Sequence, residues 1–143
     1  MNTTGYSKMA QNAIAAMSYL AERYGAGGGA PLLRSAEIAE ARGLSQTLVA
    51  KILTILSQAG LVEGVPGPNG GYRLQSEPGK ISFFDVVRLF DRVNETFPCP
   101  FGADYCPNEK PCPVHDEMVA MRETLDAFLK RAHFGKFLER HST

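Results

Sequence analysis

The six residues Pro66-Gly67-Pro68-Asn69-Gly70-Gly71 limit most sharply what this chain can become. Proline removes a backbone donor and fixes φ, and glycine opens left-handed backbone, so the run admits neither helix nor central strand. Short strand-like ends flank it, Leu61-Val62 before and Tyr72-Arg73-Leu74 after, which makes it the tip of a β-hairpin. Elsewhere the apolar spacing is helical. Over residues 7–24, Ala13, Met17, Leu20 and Ala21 recur on one face of an alanine-rich stretch. That helix gives out in Gly25-Ala26-Gly27-Gly28-Gly29-Ala30-Pro31, a loop by composition. The expected fold class is mainly α with a small β-wing.

Two further helices precede the hairpin. Ser35 reads as the N-cap of a short helix over residues 35–42, with Glu37 in its first turn. Gly43 supplies the permissive backbone of a turn, and Ser45 caps a third helix that runs to Ala59. Gly60 then stands where a left-handed residue closes a helix, with Leu61 able to make the accompanying apolar contact. Ala39 is small where the two helices cross, and Ile38, Leu44, Val49 and Ile52 are apolar where the pair must bury against another helix. This is helix–turn–helix patterning.

The polar stripe of the third helix, headed by Ser45, is Gln46, Thr47, Ala50, Lys51 and Thr54. Such a stripe suits a major groove. Gln reads adenine, Thr hydroxyls reach bases or phosphates, methyl groups meet thymine methyls, and Lys meets phosphate or guanine. A plain helical hairpin with a solvated face would share the stripe alone. A three-helix unit followed directly by a glycine-rich ribbon is winged-helix order, and that favours DNA. In the ribbon, Asn69, Gly70 and Gly71 let backbone N–H groups approach phosphates, and Arg73 at its base adds a charge.

With 143 residues and 44% hydrophobic content, the chain can bury a core as one domain plus an oligomerisation element. Its apolar runs, such as Ala13-Ile14-Ala15-Ala16-Met17, are too short to span a bilayer, and no secretion signal opens it. A cytoplasmic location and no membrane partner are expected. Lys plus Arg equal Asp plus Glu, although residues 1–75 carry six cations against four anions. That slight excess permits a polyanion partner without requiring one. No paired carboxylates, phosphate loop or nucleophile elbow is present, so no enzyme is expected.

The second chemical signal is a cluster. Cys99, Cys106 and Cys112 are separated by six and five residues, and His115 follows Cys112 by three. Three thiolates and an imidazole complete a four-coordinate ligand set for zinc or an iron–sulfur centre. Five prolines over residues 98–113 bar regular structure and lower the entropy cost of ordering that loop. His133 and His141 lack partners at ligand spacing and read as surface or packing residues. Ser82-Phe83-Phe84-Asp85 resembles a capping box opening a helix through about Asp91. Downstream, Val114, Met118, Met121, Leu125, Phe128 and Ala132 step in a near-heptad seam along a long helix. The expected organisation is a winged helix–turn–helix domain over 1–80, a connecting helix over 81–97, a ligand loop over 98–115, and a long helix with a C-terminal tail over 114–143.

In this order the features resemble the Rrf-type (IscR/NsrR-like) family of bacterial winged-helix transcriptional regulators. The likeness is carried by Ala13-Ile14-Ala15-Ala16-Met17, Glu37-Ile38-Ala39, and Leu53 to Val62 with its Ala59-Gly60-Leu61-Val62 ending. It is most specific in Gly67-Pro68-Asn69-Gly70-Gly71-Tyr72-Arg73-Leu74, followed by Ile81-Ser82-Phe83-Phe84-Asp85-Val86-Val87. The resemblance implies a homodimer joined by the long helix over 114–132, binding double-stranded operator DNA, usually as a repressor. It also implies an iron–sulfur cluster on Cys99, Cys106 and Cys112 near the dimer interface. IscR-like members take the fourth ligand from the position of His115. NsrR-like members recruit a carboxylate from the partner's first helix, and no Asp, Glu or His precedes Glu22 here. Histidine ligation favours 2Fe–2S over 4Fe–4S.

Three positions depart from the family pattern. The first cysteine spacing is one residue longer than in IscR, Pro66 replaces a frequent Arg, and Ala50 replaces an acidic residue that discriminates operators. The operator sequence therefore does not follow from the family. The alternatives are a winged-helix regulator or adaptor with structural zinc or a thiol switch, and a redox protein that does not bind DNA.

Overall fold

The computed structural model describes residues 7–25, 31–91 and 113–141. Helix α1, Lys8–Glu22, begins at Ser7, whose hydroxyl accepts from the Ala10 N–H at 3.1 Å. The Ser7 N–H itself donates to the Asp91 carboxylate at 2.6 Å, which ties the head of α1 to the end of the segment after the wing. The alanines of α1 let neighbours approach closely. Ala10, Ala13, Ala16, Met17 and Ala21 are wholly buried, and α1 packs against α2, α3, α4 and α6.

Helix α2, Ser35–Arg42, starts one residue earlier than the sequence suggests. Ser35 is its first helical residue, and Arg34 occupies the cap position without a side-chain bond. Gly43, at φ +67, closes α2, where a side chain would strain the left-handed backbone. Helix α3, Gln46–Gln58, is capped by Ser45, which accepts from the Leu48 N–H at 3.0 Å. Its far end is a Schellman closure around Gly60 at φ +82. Leu61 N–H donates to the Leu56 carbonyl, and Gly60 N–H donates to that of Ser57, each at 3.0 Å.

Strands β1, Val62–Val65, and β2, Gly71–Leu74, pair antiparallel with Val62 opposite Leu74 and Val65 opposite Gly71. The segment before α2 joins this ribbon. Leu33 and Tyr72 exchange both backbone bonds, at 2.9 and 2.8 Å. The wing is thereby fastened to the entrance of α2.

After a short 3-10 turn, Pro78–Lys80, helix α4 spans Phe83–Val87. Its capping box is complete: the Ser82 hydroxyl accepts from Asp85 N–H at 3.1 Å, and the Asp85 carboxylate accepts from Ser82 N–H at 3.0 Å. The helix is shorter than expected, because residues 88–91 continue as turns.

Helix α5, His115–Arg131, turns Leu129 and part of Leu125 onto Ala10 and Val87. The last described residues form helix α6, Gly135–His141, where the sequence suggests only a tail. Phe134, which leads into it, is wholly buried. Its ring lies 4.7 Å from that of Phe83, and Phe83 also meets Phe128 edge-on at 5.9 Å. Backbone bonds from Phe83 N–H to Ala132 and from Phe134 N–H to Ile81 stitch this end to the α4 cap. His133 packs into the joint, with Nδ1 buried and without a described partner.

Candidate nucleic-acid interface

Helix α3 buries one face and exposes the other because its apolar residues recur at helical spacing. Val49, Ile52, Leu53 and Leu56 are inaccessible to solvent. On the opposite side Ser45, Gln46, Thr47, Lys51 and Thr54 are exposed, and Ala50 is half-buried among them. The Thr54 hydroxyl donates to the Ala50 carbonyl at 2.9 Å, which turns its methyl group outward and leaves its oxygen lone pairs as acceptors. The predicted stripe is thus one continuous surface on one helix.

That helix is held in place through α2. The Arg42 guanidinium donates to the Ser18 hydroxyl at 3.0 Å, pairs with the Glu22 carboxylate at 3.0 Å, and lies 5.2 Å from the centre of the Tyr19 ring. These contacts fix the end of α2 against α1, and α3 follows after a three-residue turn. Nothing in the local sequence of Arg42 announces this role, because all three partners lie on another helix.

At the wing, Pro66, Gly67, Pro68 and Asn69 are exposed at the tip. Gly70 is buried, and its N–H donates to the Gly67 carbonyl at 3.0 Å. A Cβ at Gly70 would sit 1.9 Å from the Val65 carbonyl oxygen, and one at Gly71, where φ is +147, would sit 2.9 Å from that of Leu33. These two glycines permit the tight tip and the strand crossing. Arg73 reaches across the ribbon to its register partner Glu63, Nη2 to Oε1 at 2.6 Å. Its charge is locally balanced, unlike the open stripe around Lys51.

Of the proposed ligand set, His115 is the first residue of α5 and is half-buried. Cys99, Cys106 and Cys112 lie outside the described residues. Among the described residues no three His, Cys, Asp or Glu side chains converge as metal ligands.

The sequence pattern of Rrf2, described as an iron-dependent transcriptional regulator, matches residues 6–140. This chain belongs to the Rrf2 family. Among Rrf2-like relatives, protein aau3 of Rhizobium meliloti (strain 1021) is 39% identical over 108 residues, 75% of this chain and 68% of that protein. The HTH-type transcriptional regulator IscR of Vibrio atlanticus (strain LGP32) is 30% identical over 104 residues, 73% of this chain and 60% of that protein. Among solved structures, CymR, the global cysteine regulator of B. subtilis, superposes with a TM-score of 0.73 at 22% identity, covering 94% of this chain and 95% of that one. The Rrf2 assignment and the winged-helix architecture agree with the mainly helical chain and its single described ribbon. The protein is therefore a transcriptional regulator of the Rrf2 family, and its relatives of that kind are not enzymes. No helix among the described residues is long and apolar enough to cross a membrane.

Proposed function

We propose that this Rrf2 protein is a homodimeric repressor that reads its operator through α3 and the wing, under the control of an iron–sulfur cluster. The cluster would be held by Cys99, Cys106, Cys112 and His115. The observation that carries the DNA reading is the exposed polar stripe of α3, with half-buried Ala50 within it, beside an exposed ribbon tip. Within it, the side chains of Gln46, Thr47, Ala50, Lys51 and Thr54 are the base and phosphate contacts. Ser45 heads the stripe, exposed Asn69 approaches the backbone at the wing, Gly70 and Gly71 shape the tip that presents it, and Arg73 contributes once it parts from Glu63.

The cysteines, His115 and Rrf2 membership support the cluster. Three thiolates and one imidazole match the donor chemistry of a 2Fe–2S centre, with 4Fe–4S or zinc as the other occupants of such a set. When bound, the cluster supplies a centre whose charge and bonding change with redox state. The chain's own residues supply the connection to DNA. The cysteine segment leaves from Asp91, whose carboxylate holds the head of α1, and returns at His115, the head of α5. A cluster held on that segment therefore bears on α1, which packs against the helices of the winged helix, and on α5. Couplings of this kind are worth about 1–3 kcal/mol.

The dimer reading rests on α5. Val114, Met121 and Phe128 are 37%, 49% and 40% exposed and recur every seven residues. Two such stripes, one from each subunit, would cover each other.

Thiol chemistry without a cluster is the second reading, favoured by the fold likeness to CymR, a cysteine regulator. One experiment separates the two. Protein purified without oxygen should be coloured and carry iron and sulfide, and Cys99→Ala should lose both and change operator affinity while remaining dimeric. Colourless wild-type protein that binds its operator at full strength would overturn the cluster reading. One zinc per chain would replace it with a structural metal, and thiol-dependent binding with the thiol switch.

A further inference from the structure

The exposed stripe of α3 does not stop at Thr54. Ser57 and Gln58 follow at three and four residues, on the same side of the helix, and there they meet the wing. Between the two elements lies a cleft of about 360 Å³, walled by Thr54, Ser57 and Gln58 on one side and by Val65, Pro66 and Tyr72 on the other. None of its lining residues is charged. Gly64 forms part of its wall, with the Tyr72 ring lying against it across the ribbon. A Cβ at Gly64 would sit 3.1 Å from that ring, so the missing side chain lets the tyrosine settle onto the strand.

We infer that this cleft seats the sugar–phosphate strand that separates the two grooves, with Ser57 and Gln58 donating to one phosphate of it. The inference rests on the DNA reading above and extends it to residues outside the recognition stripe. A helix in the major groove and a ribbon tip reaching the adjacent minor groove stand on opposite sides of one backbone strand. That strand must pass between them wherever both engage. The surface between them must then be concave, free of carboxylates, and able to donate to phosphate oxygens. The cleft meets all three conditions. Thr54 spends its hydroxyl on Ala50, which leaves the Ser57 hydroxyl and the Gln58 carboxamide as donors on the helix side. Neutral side chains of this type make many phosphate contacts in protein–DNA interfaces. Val65 and Pro66 offer apolar surface to a deoxyribose. The negative end of α3, which would oppose a phosphate, is blunted. Its last carbonyls already accept from Ala59, Gly60 and Leu61 at 3.0–3.1 Å.

The test uses the full chain and a duplex that the wild-type protein selects from a random-sequence library. Ser57→Ala with Gln58→Ala should weaken binding on the order of tenfold, equally on the selected duplex and on mismatched ones, with the salt slope unchanged. Gln58→Glu, which keeps the shape and adds a carboxylate, should cost at least about tenfold. Replacing phosphates one at a time by methylphosphonate should reveal one position where the wild type loses affinity, the double variant loses none further, and the Gln58→Glu variant recovers. Variants that bind like the wild type, or methylphosphonate losses that add in full to theirs at every position, overturn the inference and leave the recognition stripe untouched. A wild-type protein that retains no duplex at all overturns the DNA reading together with it.

Discussion

Lys51 and Arg73 are both cations that the sequence assigns to the DNA-facing side, yet their surroundings differ. Lys51 stands exposed among neutral residues, whereas Arg73 is paired with Glu63. Lys51→Ala should therefore weaken binding to every duplex and lower the slope of log affinity against log salt by about one unit, as read by titration at several ionic strengths. An unchanged slope would place the phosphate contact elsewhere. Glycine at position 70 is required by packing. Gly70→Ala forces a Cβ into the Val65 carbonyl, so the tip must shift, and a loss of roughly 2–3 kcal/mol in denaturant unfolding is expected. The stripe on α3 was legible from spacing alone, because one helix fixes the relative direction of all its side chains. The engagement of Arg73 was not, because its partner belongs to the opposite strand and register decides which residues meet.

At the scale of elements, the caps at Ser45 and Ser82 and the closures at Gly43 and Gly60 were readable because each acts within a few residues of itself. Helix α5 shows where such reading ends. The near-heptad seam of Val114, Met118, Met121, Leu125, Phe128 and Ala132 divides in the structure. Met118 and Leu125 are half-buried, Leu125 against the body of the chain, while Val114, Met121 and Phe128 face solvent. Periodicity identifies a stripe but not which of its edges a neighbour covers. Phe128→Glu, at a position 40% exposed, should keep the helical circular-dichroism signal and shift the mass measured by light scattering from dimer to monomer, with the thermal transition lowered by the lost Phe83 contact and the lost partner. A dimer that survives both this change and Met121→Asp would remove α5 from the interface.

For the whole molecule, α6 matters most. It packs against α1, and the buried Phe134 ring ties it to Phe83 beneath the α4 cap, with its own Phe137 stacked alongside. Phe134→Ala should cost about 3–5 kcal/mol of unfolding free energy, as expected for a large ring removed from a closed core. A loss below about 1 kcal/mol would mean that α6 docks loosely. By itself the sequence determined helices α1, α2, α3 and α5, the caps at Ser45 and Ser82, the hairpin and the polar face of α3, because each is written in residues a few positions apart. Tertiary structure alone decided that Leu33 joins the wing, that Arg42 braces α1, that Phe134 enters the core, and that a cleft opens between α3 and the ribbon. Those contacts join residues far apart along the chain, and which surfaces meet is settled by how the elements pack rather than by any local preference.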